Sequence, residues 1–418
     1  MSVVADLLAG IFERRYSPWA KDETDTRSME DLADALIGCA GEGAGIVLST
    51  KILDRFDVST DEEKLSFFHH LCHNMDISPS EVESTLKAYR SKGSSENYKA
   101  FMEAADPNRQ KIIRRLNQVP GATEKLVIMR QELLRLKSPD SELEPLDFDF
   151  QHLFAAWFNR GFLVMRPITW ETPAHILEKI IAYEAVHAID RWSDLRSRLQ
   201  PGDRRCFAFF HLTMPDEPLI FVEVALTDKT PDSIASVLTD EREELDPADT
   251  TTAVFYSISN CQRGLAKISF GNFLIKQVAN DLAAELPNLK TFVTLSPIPL
   301  LVKWMKSENI PYEQMDADAL HELAAHYLIH VKQADNKPFD PVARFHLGNG
   351  ASIHAIHPNA DQSENGMKNS HGLMVNYQYV LDSVPSNHER FFHDSFVVAD
   401  DNLHALAAPV QNQLTYRK

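Results

Sequence analysis

Phe255-Tyr-Ser257-Ile-Ser259-Asn-Cys-Gln262-Arg263-Gly264-Leu-Ala266-Lys267-Ile268-Ser269-Phe270-Gly271-Asn272-Phe-Leu-Ile-Lys276 reads as a strand, then a glycine-bearing loop, then a helix expected over Asn272–Glu285. Backbone N–H groups at such a helix start can cradle a phosphate. Arg263, Lys267 and Lys276 place positive charge around that loop in an otherwise acidic chain. Upstream and downstream, apolar β-rich runs at Cys206–Leu212, Leu219–Thr227, Ala253–Ser259 and Thr291–Leu295 predict further strands. Their continuous apolar character predicts cover on both faces.

The next strand-to-helix passage is Thr291-Phe-Val-Thr-Leu-Ser296-Pro-Ile-Pro-Leu-Leu-Val-Lys303-Trp304. Ser296 fits an N-cap and Pro297 the first helical position, so the serine is expected at the positive end of a helix, where an anion is favoured. Farther on, Pro341–Leu347 and Ala351–His357 flank Gly348-Asn349-Gly350, which predicts a β-hairpin with Val342, Arg344 and His346 on one face. The polar run over 358–370 is expected to form a lid or binding loop.

The other half of the chain has a different texture. From about residue 26 to 137 the pattern is helix after helix. Ser78-Pro79 and Asp106-Pro107 mark helix starts, Glu81 completes a capping box with Ser78, and apolar residues recur at three and four, as in Leu126, Met129, Leu133 and Leu136. Short connections favour an antiparallel bundle. The acidic stretch Ser138–Pro145 predicts a linker, and 150–162 one more helix. The expected class is α+β: an all-α bundle over 1–155 and an α/β domain over 156–418.

Composition narrows the function. The 418 residues carry 42 Lys plus Arg against 60 Asp plus Glu, a net charge of -18, which disfavours nucleic acids and anionic membranes as partners. Four cysteines without a CxxC pair read as reduced thiols. The sequence shows neither an apolar run of about 18 residues nor a secretory or transit signal, so a cytoplasmic location is expected. His69-His70-Leu-Cys72-His73 reads as a helix surface, since no second ligand group with zinc spacing follows. His321 and His326 are five apart and diverge around a helix, unlike a zinc-protease pair. Nucleophile-elbow, Walker A and dinucleotide fingerprints are missing. The chemistry is left to plain side chains and backbone.

Taken together, the strings resemble the malonyl-CoA decarboxylase family. The resemblance rests on Phe255–Ser259, Gly264, Gly271-x-Phe-Leu-Ile-Lys276, Leu295-Ser-Pro-Ile-Pro299, Pro341-Val-Ala-x-Phe-His346-Leu and Gly372-Leu-Met-x-Asn-Tyr377-x-Tyr379, in that order. It extends upstream through Ile168-Thr-Trp170, Glu184-Ala-Val-His187 and Glu217-Pro-Leu219, and covers most of 155–385. It implies a helical bundle followed by a domain like the GNAT acetyltransferases, in which two neighbouring strands splay around the pantetheine arm. It implies conversion of malonyl-CoA to acetyl-CoA and CO2 without metal, biotin or other cofactor, and self-association as a dimer or tetramer. Ser296 and His346 match the family's catalytic serine and histidine. Ala266, Lys267, Ile268, Ser269, Phe270, Gly271 and Asn272 match its malonyl-CoA-binding loop, and Ser257 and Tyr379 match further site positions. The acetyltransferase loop pattern is met in part: Gly264 and Ala266 fit, and Cys261 stands where Gln or Arg is usual. On this reading Ser296 holds the malonyl carboxylate, His346 acts as general acid towards the enolate carbon, and backbone N–H groups near Ser257 or the loop stabilise the oxyanion. An acyltransferase needing an amine acceptor, a non-catalytic acyl-CoA sensor and a thioester hydrolase are the alternatives.

Overall fold

A computed structural model describes residues 25–137, 141–239, 241–268 and 274–415. The chain divides into two compact units: Met1–Leu163 with His211–Pro215 and Gln262–Ser269, and Val164–Phe210 with Asp216–Cys261 and Phe270–Lys418.

The first unit is helical. Its helices are α1 (Met29–Gly38), α2 (Glu42–Val58), α3 (Asp61–Asn74), α4 (Pro79–Ser91), α5 (Ser95–Ala104), α6 (Asn108–Leu116), α7 (Ala122–Leu136) and α8 (Glu144–Trp157). Reciprocal caps start α1 at Ser28 with Asp31 and α3 at Thr60 with Glu63. Ser78 caps α4 ahead of Pro79, as its sequence predicts. Leu32, Leu36, Ile52, Phe56, Phe67, Phe68, Ile112, Leu116, Leu126 and Phe150 are buried. The expected linker and the helix after it are corrected: α8 begins at Glu144, inside the proline-marked stretch, because Pro145 fits a first helical turn that lacks N–H partners anyway. Similarly α6 begins one residue late, with Pro107 itself as the cap.

The second unit carries a mixed sheet in the order β1-β2-β3-β4-β5-β8-β6, with β7 paired to β8. The strands are β1 (Leu163–Pro167), β2 (Arg204–His211), β3 (Met214–Thr227), β4 (Thr252–Asn260), β5 (Thr291–Thr294), β6 (Ser296–Pro297), β7 (Ser352–His357) and β8 (Met374–Gln378). Strands β4 and β5 run parallel from Thr252↔Thr291 to Phe255↔Thr294. The Leu295 N–H to Phe255 carbonyl bond closes that ladder. Beyond it β4 continues beside β3 as far as Ile220↔Asn260, whereas the other chain crosses to β8 at Ser296↔Val375. The two parallel neighbours therefore part at Phe255 and Thr294, the splay that an acetyltransferase-type domain implies. Helix α9 (Ala174–Tyr183) buries Ile176, Leu177 and Ile180 against Cys206, Phe210 and Phe221; Val254, Tyr256, Val293, Leu295 and Met374 form a second cluster.

The remaining helices are α10 (Trp192–Leu199), α11 (Ile234–Leu238), α12 (Leu274–Glu285), α13 (Leu301–Ser307), α14 (Ala317–His330), α15 (Pro341–Gly348), α16 (Glu364–Ser370), α17 (Val384–Asp394) and α18 (Asp401–Thr415). Two of them overturn expectations around the site residues. The hairpin arm Pro341–Leu347 is helix α15: Asp340 Oδ1 accepts the N–H groups of Val342 and Ala343, and Pro341 takes the first turn. A strong cap outweighs a seven-residue alternation. Gly348-Asn349-Gly350 is the helix stop and not a hairpin turn. Gly350 has φ +84, and a Cβ there would lie 2.3 Å from the Val384 carbonyl oxygen. Strand β7 then pairs with β8. Nor is Ser296 a helix cap: it lies in β6, and α13 starts later, at Leu301. The polar 358–370 run folds into a turn and α16, capped by Ser363.

Candidate active site

Thr294 ends β5 and Ser296 lies in β6, two residues on, so alternation puts both hydroxyls on one face. Ser296 Oγ donates to Thr294 Oγ1 at 2.9 Å. Thr294 is held in turn from β8. The Tyr377 N–H donates to its hydroxyl at 3.0 Å, and Asn376 Nδ2 donates to its carbonyl at 2.6 Å.

His346 lies on the inward face of α15 with Ala343 and Leu347. Its Nε2 lies 3.3 Å from Ser296 Oγ and its Nδ1 2.8 Å from Tyr379 Oη. The ring stacks on Tyr377, with centroids 4.6 Å apart and an interplanar angle of 21°. Asp340 fixes the start of α15 and also accepts from Tyr327 Oη at 3.3 Å and the Leu300 N–H at 3.4 Å. One buried carboxylate thus ties the histidine's helix to α14 and to the residue preceding α13.

The cluster is dry. Ser296 is 6% exposed, His346 3% and Tyr379 2%. Burial with no charged partner pushes the His346 pKa down to about 3, so the imidazole is neutral at neutral pH, and burial pushes the Tyr379 phenol well above its ordinary value. The hydrogen bonds have one self-consistent direction: Tyr379 Oη–H donates to Nδ1, Nε2–H to Ser296 Oγ, and Ser296 Oγ–H to Thr294 Oγ1. An imidazole with the ordinary pKa near 6.5 would be partly protonated at neutral pH, and the buried ring of His346 is not. In this site it is a neutral N–H donor.

Ser257 belongs to a different network. Its hydroxyl donates to Glu184 at 2.9 and 2.7 Å, one distance to each carboxylate oxygen, and Glu184 Oε1 also accepts the N–H groups of Val186 and His187. A buried pair, Arg198 and Glu223 at 3.0 Å, lies in the same unit. Of the expected CoA loop, Ala266 and Lys267 are exposed and Ile268 is buried; Ser269, Phe270, Gly271 and Asn272 lie outside the described residues. The cysteines are free thiols.

Among the described residues, the group of three His, Cys, Asp or Glu side chains with ligand atoms within 4.8 Å of one another is His69, His73 and Glu142, on the helical unit. None of these contacts Ser296 or His346. Thr294, Asn376 and Asp340 were missed from sequence. For Asp340 the signal was present, since Asp340-Pro341 repeats the cap-then-proline pattern of Ser78-Pro79. Thr294 and Asn376 act through cross-strand contacts that no local pattern encodes.

Comparison with known proteins gives concordant matches. The malonyl-CoA decarboxylase N-terminal domain model matches residues 76–158, and the C-terminal domain model matches 161–318 and 311–416. The mitochondrial malonyl-CoA decarboxylase of Anser anser anser is 31% identical over 388 residues, covering 79% of this chain and 77% of the relative. That of Rattus norvegicus is 30% identical over 361 residues, covering 73% and 72%. The crystal structure of malonyl-CoA decarboxylase from Rhodopseudomonas palustris is 45% identical with a TM-score of 0.84, covering 90% of this chain and 99% of that one. The Agrobacterium vitis counterpart is 44% identical with a TM-score of 0.85, covering 91% and 99%.

Proposed function

This chain belongs to the malonyl-CoA decarboxylase family and is a carboxy-lyase acting on malonyl-CoA; from that premise we propose that Ser296 and His346 carry out the decarboxylation through a thioester enolate, without metal or biotin. The bond between the α-carbon and the carboxylate breaks, its electron pair moves onto the thioester oxygen, and CO2 leaves. The α-carbon then takes a proton, giving acetyl-CoA.

Two features of the site favour this sequence. A carboxylate moved from water into a buried pocket loses hydration, whereas the transition state spreads its charge onto the thioester, so a dry site lowers the barrier. The enolate carbon is a far stronger base than the anion of imidazole, so a neutral imidazole N–H suffices as acid; a neutral histidine working as an N–H donor, there to a carbonyl oxygen, has precedent. His346 Nε2–H passes its proton to carbon while Nδ1 draws on Tyr379 Oη–H, and solvent restores the proton afterwards. Ser296 Oγ–H swings from Thr294 to the malonyl carboxylate and fixes it perpendicular to the carbonyl plane. The alternative version makes Ser296 a proton acceptor.

Oxyanion donors come from backbone N–H groups, each worth about 3–4 kcal/mol. Ser257, its hydroxyl committed to Glu184, contributes through its backbone on β4. Ala266, Lys267, Ile268, Ser269, Phe270, Gly271 and Asn272 take the CoA portion. The helical unit also serves self-association as a dimer or tetramer; a monomeric sedimentation profile would discard that part.

The observation that carries the proposal is the 3.3 Å approach of Ser296 Oγ to His346 Nε2, both buried. The test is release of labelled CO2 from malonyl-CoA by Ser296→Ala and His346→Asn. Each is expected to lose at least about a hundredfold in kcat, the scale of a lost general acid or oriented contact. Near-normal turnover with unchanged binding by Ser296→Ala would reject both roles given to the serine; by His346→Asn, the acid.

A further inference from the structure

The loop read as the CoA site is anchored inside the helical unit by a side chain that none of the sequence motifs includes. We propose that Arg130 of α7 is a positioning residue for the nucleotide end of the substrate, setting the backbone of 264–267 from behind. The inference rests on the reading of 266–272 as the CoA loop.

Arg130 has no exposed surface. Its Nε donates to Asp147 Oδ1 at 2.9 Å, and its Nη1 donates to the Gly264 carbonyl at 2.6 Å and the Ala266 carbonyl at 2.9 Å. The contact with α7 is close along the backbone as well. A Cβ on Gly264 would lie 1.9 Å from the Val127 carbonyl oxygen, so only glycine fits there. Asp147 is held independently by Lys137 Nζ at 2.8 Å and Gln151 Nε2 at 3.1 Å. The carboxylate is thus satisfied by several donors, and of the guanidinium's two terminal nitrogens Nη1 goes to the loop while Nη2 is buried without a partner.

The consequence follows from peptide planarity. The Ala266 carbonyl and the Lys267 N–H belong to one rigid unit and point in opposite directions. Turning that carbonyl onto Arg130 turns the Lys267 N–H away from the bundle. The N–H groups of Leu265, Ala266 and Ile268 are bonded to carbonyls within Gln262–Leu265, whereas that of Lys267 is not used by the Gln262–Ile268 turn. Lys267 also has φ +65, a conformation that costs a non-glycine residue and needs support from its surroundings. A buried cation behind the loop and an N–H directed out of it, on a residue with an exposed ammonium, suit a pyrophosphate.

The test compares wild type and Arg130→Lys on two substrates, malonyl-CoA and malonyl-pantetheine, which lacks the nucleotide and pyrophosphate. Lysine keeps the charge beside Asp147 but cannot hold both carbonyls. The expected result is a KM for malonyl-CoA raised about tenfold or more, with kcat changed less than about threefold and kinetics on malonyl-pantetheine unchanged. A merely structural arginine would lower the melting temperature and shift both substrates alike, which would overturn the inference; so would unchanged kinetics. If wild type itself does not distinguish the two substrates, the loop reading falls and this inference with it. If wild type distinguishes them and Arg130→Lys behaves identically, the role of Arg130 alone is wrong. Should Arg130→Lys not fold, Arg130→Gln combined with Asp147→Asn removes the buried pair without orphaning a charge, and the same selective KM shift decides.

Discussion

Tyr379 Oη lies 2.8 Å from His346 Nδ1, on the side of the imidazole opposite Ser296. With Ser296 Oγ–H committed to Thr294, Nε2 is the donor towards Ser296 and Nδ1 the acceptor of Tyr379 Oη–H, which places a second proton one bond behind the first. Tyr379→Phe keeps the ring against Phe255 and His346 and removes the hydroxyl alone. The expected outcome is a fall in kcat of about ten- to a hundredfold with little change in KM, as for loss of an interaction made in the transition state. Leaving Nδ1 buried and unpaired should also cost about 1–3 kcal/mol of stability. Steady-state kinetics and thermal melts check both.

Thr294 tests the serine's other side. Its Oγ1 accepts from Ser296 and from the Tyr377 N–H. Thr294→Val keeps the β-branched shape and deletes the acceptor, so the Ser296 hydroxyl loses its resting partner and the Tyr377 N–H is left unpaired. A drop in kcat of about three- to tenfold is expected, since one neutral hydrogen bond contributes about 1 kcal/mol. The effect on kcat should be smaller than that of Ser296→Ala; equal losses would mean that threonine and serine act as one unit.

Much of this site was legible before the fold was known, and the exceptions have identifiable causes. The strand, loop and helix around Phe255–Lys276 could be read because apolar runs and a glycine loop are local features. The bundle could be read because its caps are local too. The secondary structure around His346 could not: alternation over seven residues competed with the Asp340-Pro341 cap, and the cap won by satisfying two backbone donors at once. Ser296 was misplaced for the converse reason. Ser296-Pro297 looks like a cap, but pairing of Ser296 and Pro297 with β8 delays the helix to Leu301. Arg130 gave no signal, because its partners Gly264 and Ala266 lie 134 and 136 positions away.

Two buried histidines, His346 and His326, and the half-buried His187 predict the response to acid. His346 is pushed down to about 3, and His187 and His326 to about 4, in each case chiefly by burial. In the unfolded chain each takes a proton near pH 6.5. Between about pH 6.5 and 4 the unfolded state therefore binds more protons than the folded one, so stability is full above that window and falls as pH drops through it. His326 lies outside the Ser296–His346 chain and its Nδ1 has no hydrogen-bond partner. His326→Leu should flatten the slope of melting temperature against pH over this range, and an unchanged slope would remove His326 from the account. Over the same range above about pH 5, kcat should show no limb at pH 6.5 arising from His346.

Asp340 separates a cap from a charge. Burial raises its pKa to about 6 against its backbone N–H bonds, so ionisation is disfavoured in the fold. For an acid raised above its unfolded value of 3.8, the associated stability is full below pH 3.8 and is lost as pH rises towards 6. Asp340→Asn keeps an oxygen for Val342 and Ala343 without the charge but turns its NH2 towards the Leu300 N–H, so at pH 7.5 it should cost less stability than removal of the cap. Asp340→Ala removes the cap and should cost about 1–2 kcal/mol. Because α15 carries His346, the alanine variant should also lose kcat while the asparagine variant retains most of it. Melts and CO2 release measured on the same two proteins test whether the carboxylate's contribution to catalysis is the placement of that helix, and a large kcat loss in Asp340→Asn at unchanged stability would instead assign it an electrostatic part in the reaction.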